Sequence, residues 1–243
     1  MNETDNTRAF FQALVPHLRE LRKRIILSVL SVALTTSLSF LIADHLMAFL
    51  AEPVGGLNAL HSLEITENLT ASFEVVILGG IVFAFPFIAY HAIAFIIPGL
   101  KENERRWVKM ILPSAAFLFV VGLSFGYWIL LPTAIPFLTS FMGIETQLRT
   151  GSYFSFTTSI LFWIGVLFEL PIVVFLLTKA RILSSALLLK KWRFAIVVIA
   201  ILAMVLTPTV DPVNMILLMA PLVGLYFLGA GLAKFAESKS ADN

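Results

Sequence analysis

The run HLRELRKRIILSVLSVALTTSLSFLIAD, residues 17–44, joins two unlike segments. Its first eight residues hold Arg19, Arg22, Lys23 and Arg24, and the next nineteen, 25–43, hold no charge at all. A helix of that length measures about 28 Å at 1.5 Å per residue, close to the roughly 30 Å of a bilayer's hydrocarbon core. A basic cluster directly ahead of such a run holds that end in the cytoplasm. The segment lacks a small-residue cleavage site and is read as an uncleaved first span. Glu20 is the residue that does not fit: an acid inside a stretch whose topological role is to be positive.

The same alternation runs along the whole chain. Of its 243 residues, 59% are hydrophobic and only 13% charged, with a mean hydropathy of +0.94. A soluble domain carries about 25% charged residues, so the composition implies an all-α integral membrane protein. Further apolar runs occupy 73–97, 110–131, 156–178, 194–206 and 213–232. The run 194–206 covers only about 20 Å and ends in TPTVDP, 207–212, whose prolines stop one helix and start another. Two readings are open here, a buried re-entrant hairpin or two short spans that thin the bilayer locally. Basic residues on both flanks favour two spans. The expectation is a single polytopic domain, 1–243, of six transmembrane helices with the last two short.

Loop charge orients the bundle. The N-terminal segment holds Arg8 and the four basic residues above, and the loop 98–109 holds Lys101, Arg105, Arg106 and Lys109. Lys179, Arg181, Lys190, Lys191 and Arg193 follow in 179–193, with Lys234 and Lys239 in the tail. These are sixteen of the seventeen Lys and Arg, and only Arg149 falls in an alternate loop. Both termini are therefore expected in the cytoplasm. The other loops are mildly acidic (Asp44, Glu52, Glu64, Glu67, Glu145, Asp211), and the first, about 44–72, has room for short interfacial helices.

Motifs for catalysis are missing. The chain has no Cys, and its four histidines (His17, His45, His61, His91) lack metal-ligand spacing. No glycine-rich phosphate loop is present. The expectation is a protein with no cofactor, no metal, no enzymatic activity and no nucleic-acid partner, since the basic residues serve topology. In GLSFG, 122–126, Gly122 and Gly126 stand four apart, the spacing of a helix-packing surface.

Three carboxylates merit weighing. Leu14, Leu18, Leu21 and Ile25 form one apolar stripe of a helix that has Pro16 in its first turn, with His17, Glu20 and Arg24 beside it. On residue types alone, an i,i+4 pair of Glu20 with Arg24 is the simpler reading. Glu104, in PGLKENERRW (98–107), suits the start of the third helix. Glu169, in FELP (168–171), lies near the middle of the fourth span, where a carboxylate is costly unless hydrated, paired or protonated. Pro171 also deprives the Leu167 carbonyl of its donor, so a polar, water-accessible cavity is expected there.

These residues together resemble a known family, TatC, the multispanning receptor subunit of the twin-arginine protein translocase. HLRELRKR is similar to its N-terminal signature, AFIIPGLKENERR (94–106) to its first cytoplasmic loop, FELP to its fourth-span motif, and LTPTVDPVNMILLMAPL (206–222) to its fifth-to-sixth turn. The resemblance covers almost the whole chain. It implies binding of twin-arginine signal peptides of folded cargo, with Glu20, Arg22, Phe95 and Glu104 on the receptor surface. It implies an intramembrane polar pocket at Glu169, and contact with single-span TatA/TatB-type subunits at Met204, Thr207 and Asn214. It further implies homo- and hetero-oligomers in a bacterial or archaeal cytoplasmic membrane, or a thylakoid-type membrane, and energy from the proton-motive force. Glu20 is then acidic because the ligand is basic. The alternative from the residues themselves is a proton-coupled secondary transporter of a small solute with Glu169 as relay, which would work as this chain alone.

Overall fold

The structure, a computed structural model, describes residues 3–96, 108–140, 147–206 and 212–241. The described residues are helical, with one isolated β-bridge between His61 and Arg149. α1 (Glu3–Ser39) passes through a 3-10 turn into the short α2 (Ala43–Ala51), and α3 spans Glu67–Ile96. α4 (Val108–Phe125) continues through a π turn, Gly126–Leu130, into α5 (Leu131–Thr139). α6 (Thr150–Phe168) and α7 (Leu170–Lys179) form one broken span. The short α8 (Ser185–Lys190), α9 (Trp192–Leu206) and α10 (Pro212–Ala241) follow. Five stretches are long and apolar enough to cross a membrane: Val15–Val54, Glu67–Ile96, Met110–Thr139, Thr150–Lys179 and Asn214–Glu237. The helix Trp192–Leu206 is apolar but shorter, at 15 residues.

Two expectations need correction. Pro16 lies inside α1, which begins at Glu3, and not in its first turn. It removes a single N–H donor, and the carbonyl left over, of Gln12, sits at the polar end of the chain. The last helix is also not short, since α10 runs for 30 residues. Its final turns are rich in Ala, Lys and Glu, good helix formers. They are docked as well: Lys179 Nζ donates to the Ala236 carbonyl at 2.8 Å, and the Ser185 amide donates to Glu237 Oε1 at 2.8 Å.

Small residues set the helix spacing. α1 packs on α3 where Gly79 and Gly80 meet Thr36 and Ser39. A Cβ on Gly80 would lie 2.6 Å from the Cα of Thr36, and the Thr35 hydroxyl lies 2.7 Å from the Gly80 carbonyl oxygen. α4 packs on α6 in the same manner. A Cβ on Gly122 would meet Phe168 Cγ at 2.8 Å, and one on Gly126 would meet Leu161 at 2.9 Å, which realises the packing surface read from GLSFG. Gly165, from the other side, faces the buried ring of Phe119.

Two apolar cores result. The larger joins α2, the first half of α3, the π turn, α6 and the start of α10. The smaller joins the last turns of α3 (Ala89, Ile93), the start of α4 (Ile111, Ala115), α7 (Ile172, Phe175, Leu176) and Ala236. It lies at the basic end of the chain, around the last turns of α3.

The seams make a sharp contrast testable. Gly80→Ala overpacks the α1–α3 contact and is expected to destabilise by about 1–3 kcal/mol. Gly231→Ala, where an added Cβ meets nothing within 4 Å, is expected to be neutral or to stabilise by about 0.5–1 kcal/mol. Thermal unfolding of the two variants in the same detergent measures the difference.

Candidate functional site

At the basic end, α1 reaches the last turn of α3. The rings of His17 and Phe95 stack with centroids 4.4 Å apart and planes at 30°. Glu20 lies one turn further along α1, on the stripe beside His17 that the periodicity marks. Its Oε1 accepts from Arg24 Nη2 at 3.3 Å, so the i,i+4 pair exists. The Glu20 side chain nevertheless keeps 33% of its surface exposed. A pair of this kind contributes about 0.3–0.5 kcal/mol, so Arg24 orders the Glu20 side chain without a large energetic hold on it. Arg22 is exposed and Phe95 half-buried. Glu104 and Thr207 lie outside the described residues.

Glu169 sits at the break between α6 and α7. It is the C-terminal residue of one helix and the first cap of the next. Because Pro171 has no N–H, the α-helical ladder is interrupted here: the Glu169 amide turns to the Val166 carbonyl at 3.1 Å, and the Glu169 carbonyl takes the amides of Ile172 and Val173. The side chain is half-buried, with Oε1 buried and unpartnered. Met204 faces outward from α9, 57% exposed, whereas Asn214 is buried at the start of α10.

Sequence reasoning missed three positions. The first is His17, set aside for lacking metal-ligand spacing. The second is Glu67, the first residue of α3, whose side chain is only 5% exposed. Its Oε1 accepts from the Gly151 amide at 2.8 Å and from Arg149 Nε at 3.3 Å, and its Oε2 accepts from the Leu63 amide at 2.9 Å. Arg149, the lone basic residue of the alternate loops, also reaches Glu64 at 3.2 Å. These hydrogen bonds to Glu67 and Glu64 raise the pKa of its guanidinium. The third is Glu74, two turns deeper in α3, with Oε2 buried and unpartnered in a groove that Ser155, Thr158 and Ser159 also line. A lone acid at the head of the run 73–97 was the available signal.

Beside the basic loops, tyrosines anchor the other end. Tyr127 donates to the Phe49 carbonyl at 2.7 Å and Tyr153 to the Leu50 carbonyl at 2.5 Å, so two spans satisfy carbonyls at the end of α2. Apart from Glu20 and Glu74, which lie inside helices, these polar groups gather at helix ends and helix breaks of an integral membrane protein.

Comparison with known proteins agrees with that class. Residues 16–221 match the family model described as Sec-independent protein translocase protein (TatC). The chain is 39% identical over 230 residues to the Sec-independent protein translocase protein TatC of Deinococcus radiodurans, covering 91% of this chain and 85% of that protein. It is 34% identical over 229 residues to the TatC of Carboxydothermus hydrogenoformans, covering 93% and 94%. The crystal structure of a twin-arginine translocase receptor, TatC, superposes with a TM-score of 0.78 at 30% identity, over 91% of this chain and 99% of that one. The chain is a multispanning translocase protein, and it belongs to the TatC family.

Glu67 and Glu74 differ in their partners, and stability separates them. Glu67→Leu leaves three backbone amides without their acceptor and Arg149 with Glu64 alone, and is expected to lower the melting temperature in detergent by several degrees. Glu74→Leu removes an unpartnered buried oxygen and is expected to leave it unchanged or raise it. Paired melting curves decide both.

Proposed function

We propose that this chain is the signal-peptide receptor and core subunit of a twin-arginine translocase, binding consecutive arginines and helping folded cargo across the membrane. What carries the reading is family membership over residues 16–221 together with the His17–Phe95 contact. That contact holds the turn of α1 before Glu20 against the last turn of α3, and Glu104 follows α3 in the sequence. A carboxylate can hold a guanidinium through two parallel N–H···O bonds. The surrounding Arg19, Arg22, Lys23 and Arg24 repel a cation that the carboxylates do not pair. Phe95 and Arg22 complete the receptor surface. The chain acts as one polytopic domain of six spans with both termini in the cytoplasm, and it is not an enzyme. Glu169 forms the intramembrane polar pocket. Met204, Thr207 and Asn214 contact single-span partner subunits, and assembly is oligomeric. With no nucleotide motif in the sequence, the proton-motive force supplies the energy.

Topology is read with single cysteines, which the Cys-free chain makes clean. Leu60→Cys and Gln147→Cys are expected to label from outside, and Asn103→Cys and Ser185→Cys only from inside. External labelling at 185 overturns the six-span arrangement.

The receptor is tested by the affinity of a twin-arginine signal peptide for the purified protein. Glu20→Gln and Glu104→Gln are each expected to weaken binding roughly 10- to 100-fold, from about 1.5–3 kcal/mol per charge-assisted bond, with little change in melting temperature. A Lys-Lys peptide is expected to bind weakly throughout, because Lys lacks the planar fork. Equal binding of both peptides, with no loss in the double variant, overturns the assignment.

A further inference from the structure

Between Glu169 and Asp211 the sequence holds no acid, yet Lys179, Arg181, Lys190, Lys191 and Arg193 all fall there. Lys179 is buried and donates to the Ala236 carbonyl. Lys190, Lys191 and Arg193 are exposed, and among the described residues none of them has an ion-pair partner. Their level in the fold follows from α8. Glu237 of α10 accepts from the Ser185 amide and hydroxyl, and the Tyr226 hydroxyl donates to the Leu188 carbonyl at 2.7 Å, so α8 is fastened to α10. The apolar stretches Thr150–Lys179 and Asn214–Glu237 both end here, which puts α8 and the start of α9 at a membrane boundary. Leu187, Leu189, Trp192 and Phe194 are exposed among the three cations. Such a mixture suits that boundary, where apolar side chains face hydrocarbon and charges face headgroups.

A groove opens at the corner where α8 turns into α9. Lys191 is the charged residue that lines it, and Leu187, Leu188, Phe194, Ala195 and Tyr226 make up the rest. No acid lines it, and the Tyr226 hydroxyl is already committed to Leu188. Orientation of the chain in the membrane requires only that the loop be positive; it does not require an apolar groove beneath one of the cations. An unpaired cation over apolar walls at a membrane boundary is complementary to an amphiphile with a negative head. We propose that this groove binds one anionic phospholipid, with its phosphate on Lys191 and its acyl chain against Phe194, Ala195 and Tyr226. Lys190 and Arg193, on either side in the sequence, add to the positive potential that draws it in. A zwitterionic lipid brings its own cation to three others and fits less well. A free phosphate leaves the apolar walls uncovered. The bound lipid fixes the start of α9 at the boundary.

The test uses the full chain in phosphatidylcholine vesicles with a rising fraction of either dibrominated phosphatidylglycerol or dibrominated phosphatidylcholine. Bromine on the acyl chain quenches tryptophan fluorescence at short range. With Trp107, Trp128 and Trp163 each changed to Phe, Trp192 reports on lipid at the groove. A second chain that keeps Trp128 alone, exposed at the π turn, reports on bulk lipid. The quenching curves are expected to show phosphatidylglycerol preferred about fivefold or more at Trp192, from the attraction of one surface cation, and no preference at Trp128. Lys191→Gln is expected to remove most of the preference and Lys191→Arg to keep it. Ala195→Phe fills the groove without touching a charge and is expected to remove most of it as well. Equal affinity for the two lipids at Trp192, an equal preference at Trp128, or a preference that survives Lys191→Gln each overturn the site. Loss with Lys191→Gln but not with Ala195→Phe marks diffuse attraction to the loop and overturns the groove.

Discussion

The close approach of α1 to α3 is the contact on which the candidate site depends. Gly79 and Gly80 have no side chains to hold the helices apart, so the Thr36 backbone comes within reach of the Gly80 Cα and the Thr35 hydroxyl reaches its carbonyl oxygen. Inside a bilayer, helices gain nothing by hiding apolar surface from one another, and packing of small residues must hold them together. α1 needs this more than the other spans, since its long apolar stretch is mostly exposed to its surroundings. From Thr36 back to His17, α1 covers about 28 Å at 1.5 Å per residue. A contact near one membrane face therefore fixes where His17 meets Phe95 at the other. Glu20 is presented by a rigid rod whose anchor is far from it.

The end opposite the basic loops is closed by backbone accounting. Helix ends leave amides and carbonyls without partners, and a bilayer offers few replacements. Glu67 collects amides from its own loop and from the start of α6, and Tyr127 and Tyr153 serve the carbonyls that end α2. Arg149, the exception to an otherwise strict charge asymmetry, is explained by this cap. It neutralises a carboxylate that is almost fully buried.

Two intramembrane carboxylates are treated differently. Glu169 lies at a helix break that Pro171 makes unavoidable, where backbone groups are already rearranged. Glu74 lies within an unbroken helix and borders a groove with three hydroxyl side chains. Both keep a buried oxygen without a partner. An ionisable group at membrane depth costs several kcal/mol unless it finds water, a proton or a partner.

The one-dimensional signals carried much of this protein. Run lengths and loop charges determined that it is a helical membrane protein and where most spans lie, because hydrocarbon thickness and solvation of charge act on each segment independently of its neighbours. The residue pattern around Pro171 likewise announced a lost backbone hydrogen bond in the fourth span, since a missing N–H is a local property; that the helix breaks there was seen only in the structure. The extent of α10 was not legible, because its final turns are polar and their order comes from Lys179 and Ser185 on other helices. Nor were the His17–Phe95 stack, the Glu67–Arg149 cap or the setting of Glu74. Each joins residues dozens of positions apart, and only the packing of rigid helices against one another decides which distant side chains meet.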